Sequence, residues 1–339
     1  MHHVSRYRHV MIYLGFVSIT LALYAWYVRG VTVSRLFPFG APAPIGDSVH
    51  GQWSQRAAMS SARTASGAAA LNGLLYVVGG MDAFGRTLDA METYDPKTDR
   101  WARAPSLPER IMSPSVVALD GYLYVIGGFT GLFEAPTHDG WVFDPVTGTW
   151  QTMAPMPEAR GAMGALAIDG KIAVLGGRSH DGVSRALFFY DPAMNTWSIN
   201  APMPTPRSGL VLLASDRILY AIGGFATENG RALATVEQYD LTHDQWGAAP
   251  SLPHPRADLA GTTRNGTLIV AGGTTGSRVH GETYGFAAAS LRWETFTPMP
   301  TPRHGFGLVN IEGVLFAAGG GSHVGISVSD VLDALAFGS

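Results

Sequence analysis

A short apolar run closed by a glycine pair comes back along the whole chain, and it limits the possible fold more than any other feature. The copies are Leu74–Gly80, Leu123–Gly128, Ile172–Gly177, Leu219–Gly224, Leu268–Gly273 and Leu315–Gly320. Their second glycines lie 48, 49, 47, 49 and 47 residues apart. A period of that length marks a stacked repeat or a propeller. Each run is rich in β-branched and aromatic residues and reads as a buried strand. The paired glycines suit positions that need positive φ, or where a neighbouring backbone leaves no room for a Cβ.

One repeat, Arg63 to Pro108, shows the rest of the pattern. Gly67–Leu71 reads as a first strand, Asn72-Gly73 as a tight turn, and Leu74–Gly80 as the second strand. A variable loop leads to a third strand over Leu88–Tyr94, and a turn at Asp95–Arg100 leads to a fourth opened by Trp101. Four antiparallel strands make one propeller blade. The tryptophans Trp53, Trp101, Trp150, Trp197, Trp246 and Trp293 keep the glycine spacing, and Tyr94, Phe143, Tyr190, Tyr239 and Phe286 each precede theirs by seven residues. Glycine pair, aromatic and tryptophan at this period resemble the kelch repeat family, over Trp53 to Phe337. The resemblance implies an all-β, six-bladed kelch β-propeller.

The phase of the two ends predicts how the ring closes. The first tryptophan precedes the first glycine pair, and the last pair is followed only by a third-strand pattern, Val331–Phe337. Gln52–Met59 is therefore expected to supply the missing fourth strand and cover two open edges.

Ahead of the repeats, Met11–Val28 is an uncharged apolar run of 18 residues. A spanning helix takes about 17–25 residues. Tyr24, Trp26 and Tyr27 suit the headgroup level. This reading makes residues 1–29 one transmembrane anchor, 30–52 a Pro/Gly-rich linker and 53–339 the propeller, held on the extracytoplasmic side. A cleaved signal peptide and a secreted propeller is the rival reading.

Composition narrows the chemistry. With no cysteine there is no disulfide, thiolate metal site or cysteine nucleophile. It also removes the tyrosine–cysteine copper site of the galactose oxidases, which are kelch-like as well. A net charge of −3 speaks against a general nucleic-acid binder. No phosphate loop, nucleophile elbow or close metal-ligand spacing is present, so no cofactor or metal is expected.

Antiparallel blades put the loops after the second and fourth strands on one face and the short turns on the other. The loop face is where function is expected. Its inner loops repeat an arginine: Arg63, Arg110, Arg160, Arg207, Arg256 and Arg303, with Arg178 and the acids Glu158 and Glu228 nearby. Two readings stand. The arginines brace loops by bonding carbonyls and acids, or they ring the channel mouth and capture a carboxylate or phosphate. The second reading expects a protein partner or an anionic small molecule such as a sugar. A weaker resemblance to the bacterial N-acetylneuraminate epimerases, kelch-type sialic acid mutarotases, implies an alternative activity on an acidic sugar. Arg160 with Glu158, Arg207 with Glu228, and Arg256 with Asp258 or His254 would then share the work.

Overall fold

Six four-stranded antiparallel sheets follow the repeats in order, as the computed structural model shows for residues 50–131, 135–227 and 230–338. The apolar run Met11–Val28 and Glu228 lie outside the described residues. Among the described residues there is no α-helix, and none long and apolar enough to cross a membrane.

Blade 1 consists of Gly67–Leu71, Leu74–Val78, Met91–Asp95 and Arg100–Ala104, ordered from the axis outward. Blades 2 to 5 repeat that order. The second strands are the most buried, because they lie between sheet neighbours on both sides and blades on both faces. The third strand of blade 1 starts at Met91, later than the alternation suggested, because residues 81–90 first fold over the loop face. The innermost strands of adjacent blades contact each other around a closed cycle and leave an axial channel.

Blade 6 is Gly307–Ile311, Val314–Ala318, Leu332–Ala336 and, outermost, Gln52–Gln55 from the other end of the chain. Gln52 pairs with Ala336 and Gln55 with Asp333, so the expected closure is formed. His50 and Gly51 already engage blade 5, where the Thr297 hydroxyl donates to the Gly51 carbonyl at 2.6 Å.

Each repeat tryptophan latches its blade to the one before. The Trp101 indole N–H donates to Ala57 O (2.7 Å), Trp197 to Ala154 O (2.8 Å) and Trp246 to Ala201 O (2.8 Å). Trp53 closes the circle onto Thr297 O at 2.9 Å. Where the paired aromatic is tyrosine, a second bond grips the same alanine. Tyr94 donates to Asp99 and Tyr190 to Asn195, and those side chains accept the N–H groups of Ala57 and Ala154. Tyr239 and Asp244 treat Ala201 likewise. Phe143 and Phe286 lack the hydroxyl, and Gly148 and Leu291 stand at the corresponding turn positions.

Candidate functional site

The loop face is built on one residue per blade, and its side chain points inward. Arg63, Arg160, Arg207, Arg256 and Arg303 are 0% exposed. In each, Nη1 donates to the carbonyl of the first paired glycine 16 residues on: Gly79 (3.2 Å), Gly176 (2.6 Å), Gly223 (3.0 Å), Gly272 (3.0 Å) and Gly319 (3.0 Å). A second carbonyl, just before the third strand, accepts from the same nitrogen: Ala90, Ala186, Thr235, Glu282 or Val331. The arginine's own carbonyl accepts the N–H of the preceding blade's second glycine, as in Gly128 to Arg160 and Gly320 to Arg63 (2.8 and 2.9 Å).

The rest of each guanidinium meets the second residue of its blade's third strand. Arg63 pairs with Glu92, Arg207 with Glu237 (2.9 Å) and Arg303 with Asp333 (2.7 Å). Arg160 and Arg256 lie over the rings of Phe188 and Tyr284 instead, at 4.4 and 4.9 Å, with Glu158 and Glu282 each 3.5 Å away. Burial draws all five below the ordinary arginine value, Arg160 to about 10, and the facing acids of Arg63 and Arg207 oppose that shift. They stay protonated at neutral pH.

The ring of guanidiniums at the mouth is thus corrected. Five of the six expected ligand-binding arginines brace the blades, since a buried charge must spend its donors on internal carbonyls and acids. Arg110 is different again. Its spacing to Gly127 is 17, and the brace position of blade 2 is Ile111, buried against Trp141. Arg110 turns outward, 66% exposed, and reaches Asp89 at 3.7 Å. Arg178 lies over the Phe129 ring at 4.4 Å. Glu158 accepts from Ser184 and serves Arg160.

The axial mouth is lined by other residues. Two positions beyond each brace, the chain adopts positive φ: Ala65 (52°), Ser113 (50°), Ala162 (55°), Gly209 (60°), Asp258 (48°) and Gly305 (61°). Their backbones join in a closed belt. Ser113 N–H donates to Ala65 O, Ala162 to Ser113, Gly209 to Ala162, Asp258 to Gly209, Gly305 to Asp258 and Ala65 to Gly305, over 2.6–3.1 Å. Asp258 is the one acid in this belt. It lines a cavity of about 230 Å³ with Thr64, Ser66, Met81 and His304. Burial pushes its carboxyl above the usual range, and His304 opposes that shift. Sequence reading attached Asp258 to Arg256, but the two point apart, one to the axis and one into the blade.

At the rim, Phe84 (75% exposed), Val324 (48%) and Ile326 (47%) stand in adjacent loops of blades 1 and 6. Arg86 lies over the Phe84 ring at 5.1 Å. A second recess of about 580 Å³ lies between Arg86, Asp89, Glu109 and Arg110. Among the described residues, no group of three or more His, Asp and Glu side chains could hold a metal ion.

These features define a ring-closed six-bladed β-propeller with internal arginine braces and one face that carries the longer loops. The chain belongs to the kelch-repeat family. The Kelch motif matches residues 62–108 and 112–157, and the KLHDC2/KLHL20/DRC7 Kelch-repeats domain matches 155–320. Kelch-like protein 41b of Danio rerio is 33% identical over 99 residues, 29% of this chain and 16% of that protein. An F-box/kelch-repeat protein of Arabidopsis thaliana is 39% identical over 84 residues, 24% of this chain and 16% of its own length. The chain therefore spans about a sixth of these curated relatives. The solved structure of YjhT shares the fold, with a TM-score of 0.70 and 19% identity, over 82% of this chain and 96% of that one.

Proposed function

We propose that this propeller is a binding module that captures a protein partner on its loop face. The observation that carries the reading is the exposed apolar group Phe84, Val324 and Ile326 beside the axial mouth. Exposed apolar groups rimmed by polar residues mark interaction sites. Exposed Arg86 and Arg110 leave room for acidic side chains at the edge of such an interface. Family membership supports the reading. A photoreactive phenylalanine at position 84 is expected to crosslink a partner that the same group at Met194, on the turn face, does not reach. Equal crosslinking from both positions, or capture unaffected by Phe84→Glu with Ile326→Glu, sinks it.

A second reading, mutarotation of an acidic sugar, draws on Asp258 and His304 sharing the axial cavity, where a carboxyl and an imidazole suit general acid–base work. Among the described residues, no arginine or lysine lines that cavity to orient the sugar carboxylate. Faster anomer exchange of N-acetylneuraminate, followed by NMR, would favour it. The extracytoplasmic tether rests on the uncharged run Met11–Val28 alone, and sequencing the amino terminus of the mature protein tests it.

A further inference from the structure

The axial cavity presents one kind of chemistry, and it is the opposite of the anion capture expected from the repeated arginines. Asp258 occupies a belt whose other members are alanine, serine and glycine. Its carboxylate lies over Gly209, where an added Cβ would come within 2.3 Å of Oδ1. Glycine in blade 4 thus makes room for the acid of blade 5. Among the described residues, none donates a hydrogen bond to that carboxylate, although the Asp258 backbone N–H and carbonyl are both used in the belt. His304 Nε2 donates to the His323 carbonyl at 3.0 Å. The Asp258 carboxylate therefore offers free acceptors to the cavity, while five of the six inner-loop arginines are sealed inside the blades and Arg110 turns outward.

We propose that the axial mouth receives the ammonium or guanidinium head of a lysine or arginine side chain carried by a partner segment. This rests on the reading of the loop face as a partner surface. Charge complementarity selects a cation. Size selects a side chain over a whole small molecule, since about 230 Å³ falls below the roughly 300–1,000 Å³ typical of sites that enclose a drug-sized ligand. The rim selects what flanks the cation, because Phe84, Val324 and Ile326 suit apolar neighbours and the aliphatic stem. A head group entering from the loop face meets a carboxylate already partly stripped of water, where an ion pair gains more than at an open surface.

The test uses immobilised Leu-Xaa-Leu peptides with Xaa as Lys, Arg, Gln or Glu, and the full chain as wild type, Asp258→Asn and Asp258→Ala. Both variants suit the backbone, because asparagine tolerates positive φ and alanine already holds it at Ala65 and Ala162. The Lys and Arg peptides are expected to bind at least about tenfold more tightly than Gln, and both variants to lose that preference. Equal binding of Lys and Gln peptides, or a preference that survives both variants, overturns the proposal. So does competition by free n-butylammonium as effective as the Lys peptide, which would make this a small-amine site. If capture needs Phe84 and Ile326 but ignores Asp258, the loop-face reading stands and only the axial cation site falls.

Discussion

A guanidinium with no exposed surface is costly unless its charge is answered inside the protein. Arg207 answers its charge with Glu237 and donates from Nη1 to Gly223 O and Thr235 O, whereas blade 2 fills the same space with Ile111 and Trp141. Arg207→Ala is expected to destabilise the propeller by about 3–5 kcal/mol, because Glu237 is left buried and unpaired. Transplanting the blade 2 solution, Arg207→Ile with Glu237→Trp, should recover at least about 2 kcal/mol of that loss. Denaturant unfolding of the three proteins checks this, and a double variant no better than the single one refutes it. The sequence held the clue to this role. The spacing of 16 from brace to glycine sets Ile111 apart from Arg110, but periodicity reports position and not direction, so inward and axial arginines read alike. Asp258 was less legible, because the belt is made by backbone groups and its six positions share no residue type. Its pH behaviour has a definite sign. Burial raises the folded carboxyl above its ordinary value, so the charged form costs stability at neutral pH, and that cost is relieved as pH falls through the raised value. Asp258→Asn is expected to melt higher than wild type at pH 7, with the gap closing on acidification. A lower melting point for the variant at pH 7 would contradict the assignment.

The glycine pair is the element that fixes blade spacing, and its two constraints separate by substitution. Gly73, in a hairpin turn, has φ +77° with nothing within 4 Å of an added Cβ. Gly223 has φ +65°, and its Cβ would lie 2.5 Å from Arg256 O, the carbonyl that accepts the Gly224 N–H. Gly73→Ala is expected to cost only the left-handed backbone term, about 1–2 kcal/mol. Gly223→Ala adds the displacement of the neighbouring blade and should cost on the order of 3–5 kcal/mol. Similar unfolding midpoints for the two would remove the close-approach explanation. Strands and turns were readable because their signals are local: apolar runs of strand length, and aspartates such as Asp95, Asp144 and Asp191 that accept the N–H two residues on. The tyrosine clamp on Ala57, Ala154 and Ala201 was missed. It needs a tyrosine, the Asp or Asn five residues later and an alanine in the preceding blade to be read together.

At the scale of the whole ring, one four-residue strand carries the closure. Gln52–Gln55 pairs with Leu332–Ala336, while Trp53 reaches blade 5 at Thr297 and Arg63 receives the Gly320 N–H of blade 6. Removing residues through Gln55 breaks the first two links and spares the third. The toroid would then be held at that seam by the inner loops alone, with the third strand of blade 6 as an open edge. The loss is expected to be on the order of 5 kcal/mol, from ladder hydrogen bonds at about 1 kcal/mol each and one tryptophan at about 2–3. The open edge is expected to promote association. A synthetic peptide covering residues 45–59, added in trans, should restore the melting point and the elution volume of the full chain. The same peptide with Trp53→Ala should restore less, since it can form the ladder but not the bond to Thr297. If the shortened chain melts and elutes like the full one, the seam is held from the inner side, and the outer strand covers an edge without closing the ring.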